Sequence, residues 1–173
     1  MAGSLIKIDE EIVTSAVASV TLTGIDSTYD VYMVKYNNLT TDTDNRQVRL
    51  RFTVSGTADT SANYDYAYKD LRTSTSFSNV SQTNDGEFQH NAIGTGTSET
   101  SNGILYLFNF NNASEYSFYT VEETMVSLVP EARGRQGGGV LTVAQATDGV
   151  YFFLASSANY TAGKFTLYGL KKD

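Results

Sequence analysis

The stretch QVRLRFTV, residues 47–54, decides the fold class because its apolar and polar residues alternate without a break. Its apolar members lie on one side of an extended chain, and these are Val48, Leu50, Phe52 and Val54. Arg49 and Arg51 fall on the opposite side with two further polar residues. Such a period of two is typical of an antiparallel strand with one buried face. We therefore predict a strand whose apolar side faces the core and whose arginines face away from it.

Strand-like alternation continues on both sides of this stretch. Further examples are SVTLTGI (19–25), ILYLFNF (104–110), GVYFFLAS (149–156) and KFTLYGL (164–170). Aromatic residues favour strands, and the chain has 12 tyrosines and 9 phenylalanines. No segment has the composition of a helix. The sequence predicts an all-β protein with a single domain, residues 1–173, folded as an antiparallel β-sandwich of jelly-roll type with about nine or ten strands.

The stretch GKFTLYGLKKD, residues 163–173, predicts one more strand, in which Phe165 and Leu167 share a face. In a jelly roll the first and last strands commonly lie side by side within a sheet. We expect this strand to pair antiparallel inside a sheet, with the N-terminal strand as its neighbour.

Charge and composition exclude several classes of partner. The formal net charge is −7, whereas binding of DNA or RNA requires clustered lysines and arginines. No apolar run approaches the roughly 20 residues that a membrane helix needs, and the start MAGSLIKIDEE lacks the pattern of a signal peptide. The lack of cysteine removes disulfides and thiolate metal sites. We expect a soluble protein with no nucleic-acid partner, no membrane partner and no cofactor.

Two segments are interpreted as loops. Residues 72–103 are dominated by Ser, Thr, Asn and Gly, which predicts either a functional surface loop or an irregular stretch with one weak strand around residues 87–93. ARGRQGGG, residues 132–139, lacks the lysine and hydroxyl residue of a phosphate-binding loop, so we interpret it as a mobile loop. We expect residues 134–139 to become ordered against a neighbouring subunit, with Arg133 and Arg135 taking part in that contact.

The candidate catalytic groups form no recognisable reaction centre. His90, the single histidine, has no nucleophile-elbow motif near it, and we interpret it as a solvent-exposed side chain whose replacement by alanine has little effect. Glu115, Glu122 and Glu123 are close in sequence, but paired carboxylates of glycosidases usually come from different strands. DTDN, residues 42–45, is interpreted as an Asx-rich turn, with a bound calcium ion as the alternative. No catalytic residue, metal ligand or cofactor is predicted, and we do not expect an enzyme.

Tyrosines provide the candidate contact surface. NYDYAYKD, residues 63–70, places Tyr64, Tyr66 and Tyr68 on one face of a strand. YDVYMVKY, residues 29–36, carries apolar groups on both faces. Packing inside the chain explains such aromatic rows, and a contact surface for a neighbouring subunit or for sugar rings is the alternative. The predicted interface residues are Tyr32, Tyr36, Tyr64, Tyr66, Tyr68, Arg133 and Arg135.

Three stretches of the sequence resemble a known family. They are ASVTLTGIDSTYDVYMVKYNNL (18–39), VRLRFTVSG (48–56) and FTLYGLKK (165–172). They resemble small β-rich virion surface proteins of tailed bacteriophages, particularly phages of marine bacteria and cyanobacteria. The matching positions are Gly24, Ile25, Asp26, Tyr29, Val31, Tyr32, Leu50, Arg51, Phe52, Thr53 and residues 167–170. The resemblance implies a structural role on the virion surface and assigns no catalytic residue.

The resemblance implies one of two roles. The first is a capsid decoration (cement) protein that forms a homotrimer, binds the major capsid protein and stabilises the head. The alternative is a tail-fibre or receptor-binding module that associates with tail proteins and contacts host surface glycans. In either role we expect the protein to be made in the host cytoplasm and located in the virion.

Overall fold

The computed structural model of the chain describes residues 4–126 and 131–170. These residues form thirteen β-strands and one turn of 3₁₀ helix at Ala155–Ser157. In chain order the strands are β1 (Leu5–Val13), β2 (Ser19–Thr23), β3 (Val31–Thr41), β4 (Arg46–Val54), β5 (Thr57–Ala58), β6 (Tyr64–Arg72), β7 (Ser78–Asp85), β8 (Phe88–Ile93), β9 (Ser101–Phe108), β10 (Ser117–Val126), β11 (Ala132–Leu141), β12 (Gly149–Leu154) and β13 (Tyr160–Leu170).

The strands form two antiparallel sheets that enclose one hydrophobic core. The larger sheet has the order β1-β13-β3-β9-β10-β11-β6-β7, and the smaller sheet has the order β2-β12-β4-β5, with β8 also paired to β4. Eight strands follow the jelly-roll order, because β1, β13, β3 and β9 are neighbours in one sheet while β2, β12, β4 and β8 are neighbours in the other. The prediction of an all-β sandwich of jelly-roll type is confirmed.

The remaining strands of the larger sheet, β10, β11, β6 and β7, extend it beyond β9. Strand β8 of the smaller sheet contacts β10, β11 and β6 of this extension. Phe88 of β8 packs there against Tyr64 and Tyr119, with ring centroids 4.8 Å and 4.5 Å away. Strand β8 therefore docks on the inner face of the extension, and this contact positions the candidate site.

Strand β13 lies between β1 and β3 and is hydrogen-bonded on both edges. Its pairing with β1 is antiparallel and runs from Leu5 opposite Leu170 to Val13 opposite Gly163. Phe165 of β13 is fully buried in the core. The predicted neighbour of this strand is therefore confirmed.

Strand β4 largely follows the alternation of its sequence. Three of its four predicted core residues are fully buried, namely Val48, Leu50 and Phe52. Val54 is half-buried because it adjoins the turn that leads into β5. Arg49 and Arg51 point away from the core, and both bind Glu87.

Both segments interpreted as loops contain strands, which raises the strand count above the predicted number. Within residues 72–103, β8 matches the weak strand predicted around residues 87–93, whereas β7 was not predicted. Residues 132–139 belong to β11, which lies between β10 and β6. The prediction of a mobile loop at 132–139 is therefore wrong. A Cβ atom on Gly139 would lie 2.5 Å from the Phe88 ring, so the missing side chain permits close packing of β8. Glycine marks a close approach in this strand, not mobility.

Candidate functional site: an arginine-lined cavity beside a buried polar network

A buried polar network joins β8 to the extension of the larger sheet. His90 of β8 is 0% exposed, and its ring stacks on that of Tyr119 with the centroids 5.8 Å apart. Its Nε2 lies 3.1 Å from the Tyr119 hydroxyl, and its Nδ1 lies 3.4 Å from Oε2 of Glu123. The expectation of a solvent-exposed His90 is therefore wrong. The polar composition around it predicted a loop, whereas β8 turns this side chain towards the larger sheet.

Glu123 of β10 is a buried carboxylate surrounded by donors. It accepts a hydrogen bond from the Tyr36 hydroxyl at 2.7 Å and another from the backbone N–H of Asn91 at 3.0 Å. Nε of Arg135 lies 3.8 Å from Oε1 of Glu123. Burial by itself would raise the pKa of Glu123, but the charge of the nearby His90, the hydrogen bond from Tyr36 and the charge of Arg135 lower this pKa to about 2. The carboxylate therefore stays ionised inside the sandwich at neutral pH.

Tyrosine hydroxyls complete the network. The hydroxyls of Tyr68 and Tyr119 are hydrogen-bonded to each other across β6 and β10. Burial raises the pKa of Tyr36, Tyr68 and Tyr119 well above the ordinary value of 10.0. These hydroxyls therefore remain protonated and serve as hydrogen-bonding groups.

Arg135 of β11 connects this network to a cavity. Its Nε donates to Asp70 at 2.7 Å, and its Nη1 donates to the carbonyl oxygen of Gln89 at 2.8 Å. The guanidinium carbon also lies 4.9 Å from the centroid of the Tyr68 ring. Burial opposes the charge, but the hydrogen bond with Asp70 and the charges of Glu123 and Asp70 raise the pKa of Arg135. Arg135 is thus a permanent positive charge inside the protein.

Five of the six arginines of the chain line one cavity of about 430 Å³. They are Arg46, Arg49, Arg72, Arg133 and Arg135. The cavity lies where β4 and β11 begin and where β6 and β8 end. Among the described residues that line it, Asp70 is the one carboxylate. Positive charge is therefore concentrated at one place in a protein of net charge −7.

The carboxylates around the cavity neutralise this charge only in part. Besides the pair of Arg135 with Asp70, Arg133 binds Glu131 at 2.9 Å, and Arg49 binds Glu87. Arg46 forms no ion pair within the described part of the chain. The arrangement suits the binding of an anion.

A second feature lies on the outer face of the larger sheet, where apolar side chains cross four adjacent strands. We call this surface the aromatic belt, and its members are Met33, Ile104, Tyr106, Phe108, Phe118 and Tyr168. Ile104, Tyr106 and Phe118 are 36%, 39% and 42% exposed. A hollow of about 530 Å³ lies beside Phe118, over Ala67 and Gly138. A large apolar patch flanked by polar residues is typical of an interaction surface.

The tyrosines predicted as interface residues lie inside the chain instead. Tyr32, Tyr36, Tyr64, Tyr66 and Tyr68 are all at most 7% exposed and belong to the hydrophobic core. Their alternation reflects the inner face of the larger sheet, so internal packing accounts for them and the interpretation as a contact surface is corrected. Of the two predicted interface arginines, Arg135 is buried and Arg133 is half-buried at the cavity.

The other candidate residues do not assemble into a reaction centre. Glu122 and Glu123 lie on opposite faces of β10, and Glu115 is exposed in the preceding turn. Within residues 42–45, Asp42 accepts hydrogen bonds from the backbone and side chain of Asn159 at 3.0 Å and 2.6 Å. The Asp42 carboxylate therefore stabilises the turn at residues 42–45 by binding Asn159. Among residues 4–126 and 131–170, no group of three or more acidic or histidine side chains is arranged to hold a metal ion.

Sequence reasoning missed the cavity because its arginines come from separate strands. Arg46 and Arg49 belong to β4, Arg72 ends β6, and the other two begin β11. The available signal was the pair of arginines in RGR, residues 133–135, which the neighbouring glycines led us to place in a loop. Only the sandwich brings these strand ends together.

Comparisons with protein-family models, curated proteins and solved structures gave no match to this chain. Across the described residues, no helix is long and apolar enough to cross a membrane.

Proposed function

We propose that this protein is a structural protein of a bacteriophage virion and acts as a capsid decoration (cement) protein in the form of a homotrimer. The resemblance of residues 18–39, 48–56 and 165–172 to virion surface proteins supports the class. The jelly roll is compatible with it, since viral capsid proteins use this architecture, although the same architecture also occurs in lectins. The proposed role is not catalytic, since the resemblance assigns no catalytic residue to this chain.

The observation that carries the assembly is the aromatic belt. The outer face of a sheet that meets only water is usually polar. Tyr106 and Phe118 instead expose apolar rings side by side with Ile104. Covering such surface stabilises an assembly by roughly 25 cal/mol for each Å² removed from water. Contact with another protein chain is the arrangement that covers it.

A second copy of the chain suits this face. Phe118 of the belt also lines the hollow over Ala67 and Gly138, so the belt and the hollow form one continuous surface that a second copy can cover. A closed symmetric ring covers the same patch in every copy. A ring of three copies also matches the local threefold positions of an icosahedral head.

Light scattering coupled to size exclusion tests the trimer. We expect the unmodified protein to have three times the mass of one chain, and Tyr106→Glu or Phe118→Glu to shift it to monomer. Thr57→Glu, on the exposed strand β5 of the smaller sheet, is the matched control and keeps the trimer. A monomeric unmodified protein, or trimers that survive both belt substitutions, would contradict the proposal.

The hollow beside Phe118 also favours a second candidate, a tail-fibre or receptor-binding module that contacts host glycans. Asp65, Ser81 and Thr83 line it, and carboxylates and hydroxyls next to an aromatic ring suit the binding of a sugar. Antibody labelling of particles in the electron microscope separates the two candidates. Label spread over the head supports the decoration protein, whereas label confined to the tail supports the receptor-binding module.

A further inference from the structure

We propose that the arginine-lined cavity is a binding site for the phosphate group of a small phosphorylated molecule. The site is distinct from the aromatic belt, and the inference does not depend on the trimer or on the virion assignment. It rests on three observations: donors without acceptors, two arginines paired directly across strands, and a local excess of positive charge.

Several side chains that line the cavity carry a buried N–H group that has no acceptor in the described part of the chain. These groups are Nε of Arg46, Nε of Arg49, Nε of Arg72 and Nδ2 of Asn91. Asn91 itself is only 5% exposed, so its amide lies within the protein wall. A buried donor without an acceptor costs about 1–3 kcal/mol, and native proteins leave few of them. Four such donors around one cavity point to an external acceptor with several oxygens.

Two like charges face each other at the edge of the cavity. Arg72 of β6 and Arg133 of β11 are directly opposite in the antiparallel pairing of these strands. Like charges in this position destabilise a sheet. Arg133 is balanced by Glu131, whereas the nearest carboxylate oxygen to Arg72 is 3.7 Å away on Asp70, which already binds Arg135. An anion between the two strand ends would stabilise both arginines.

The charge balance of the cavity favours a phosphate group. Six arginines lie in and beside the cavity when Arg51 is included, and they pair with four carboxylates, which are Asp70, Glu87, Glu123 and Glu131. The arginines alone therefore leave an excess of two positive charges, and His90 beside Glu123 lies on the same wall. A phosphate monoester, which carries a charge of about −1.5 to −2 at pH 7, would offset this excess.

The number and type of donors favour phosphate over other anions. A carboxylate offers two oxygens, whereas a phosphate monoester offers three terminal oxygens, and arginine forks bind these in bidentate fashion. A nucleic acid is not favoured, because its binding needs a basic stripe along the surface and this protein carries a net charge of −7. The cavity of about 430 Å³ leaves room for a small group attached to the phosphate.

The test uses the full chain and two defined probes, inorganic phosphate and glucose 6-phosphate. Binding is measured by calorimetry and by the shift in melting temperature, with glucose and with sulfate for comparison, all at one ionic strength. Arg46→Gln is the first variant. Arg46 forms no ion pair in the described part of the chain, so replacing it breaks no ion pair. Lys69→Gln is the control, since it removes the same charge from an exposed position outside the cavity. Arg72→Gln provides an independent removal.

We expect a phosphate probe to bind with a dissociation constant of about 1 mM or below, and Arg46→Gln and Arg72→Gln to weaken it at least about tenfold while Lys69→Gln leaves it unchanged. Tighter binding of glucose 6-phosphate than of inorganic phosphate identifies a phosphorylated compound as the ligand, and equal binding identifies free phosphate. The assignment would be overturned if neither probe bound at about 10 mM. It would also be overturned if the cavity variants and the Lys69→Gln control lost the same affinity for phosphate, or if sulfate bound as tightly as phosphate.

Discussion

His90 and Glu123 belong to different sheets, yet Nδ1 of His90 lies 3.4 Å from Oε2 of Glu123 in the interior of the sandwich. The pair joins β8 to β10 at the point where the smaller sheet meets the extension of the larger one. Buried polar groups need partners, so each of these side chains depends on the other sheet being in place. The contact therefore favours one position of β8 over other ways of covering the same aromatic residues.

Replacing His90 with alanine should lower the free energy of unfolding by about 3 kcal/mol, because Glu123 and Tyr119 each lose a buried partner. Urea denaturation followed by tyrosine fluorescence measures the change. Thr83→Ala on the exposed face of β7 is the control and should change stability by less than about 0.5 kcal/mol. If His90→Ala lowered the free energy of unfolding no more than the control does, the network would not contribute to stability.

Glu123 should make the protein sensitive to acid. Its pKa is lowered from 4.5 to about 2 in the fold, so the stabilisation is fully present above about pH 4.5 and is lost as the pH falls towards 2. The loss amounts to about 3 kcal/mol for a shift of this size. In Glu123→Gln the stability at neutral pH should be lower and its fall between pH 5 and pH 2 should be shallower by about that amount.

The neighbouring substitution Glu122→Gln is the control for this experiment, because Glu122 is exposed on the same strand. Urea denaturation at a series of pH values should give this variant the acid profile of the unmodified protein. Parallel acid profiles for Glu123→Gln and the unmodified protein would show that the buried carboxylate is not responsible.

Gly139→Ala should destabilise the protein by about 2 kcal/mol, because the new Cβ atom would lie 2.5 Å from the Phe88 ring and 2.8 Å from the carbonyl oxygen of Asp65. Gly134→Ala in the same strand is the matched control, since the nearest atom to its Cβ is 3.4 Å away. Thermal melting compares the two variants. Equal melting temperatures would contradict the close packing of β8 on β11.

The core tyrosines should resist ionisation at alkaline pH. Burial raises the pKa of Tyr36, Tyr68 and Tyr119 well above 10.0, so the stability that depends on their protonated form is present below pH 10 and is lost as the pH rises beyond it. We expect the tyrosinate absorbance of the folded protein to rise in two phases, the later of which coincides with unfolding. The same titration in concentrated urea should show one phase, and a single early phase without urea would contradict the prediction.

Much of the fold follows from local patterning. The alternation in residues 47–54 predicts a strand and its buried face, and the structure buries Val48, Leu50 and Phe52 on that face. Composition led to wrong predictions at residues 132–139 and at His90, where glycine and polar residues are part of the packed interior. The glycines of 132–139 permit close contact inside a sheet, and the polar residues near His90 surround a buried network.

Side-chain roles depended more strongly on the tertiary structure than strand positions did. The row of Tyr64, Tyr66 and Tyr68 is visible in the sequence, but a row on the inner face and a row on the outer face have the same period. Which face meets the core is decided by the strands on either side. In this protein these three rings lie on the inner face, whereas Tyr106 and Phe118, on other strands, are exposed.

The sequence by itself determined the all-β class, the alternating faces of β4 and the pairing of β13 inside a sheet, because side-chain periodicity is a property of neighbouring residues. Only the tertiary structure decided that Arg46, Arg72 and Arg133 line one cavity and that His90 meets Glu123. These residues are far apart along the chain, and their meeting depends on which strands pair and on how the two sheets pack. Both are settled by the hydrophobic core as a whole, and no short stretch of sequence contains that information.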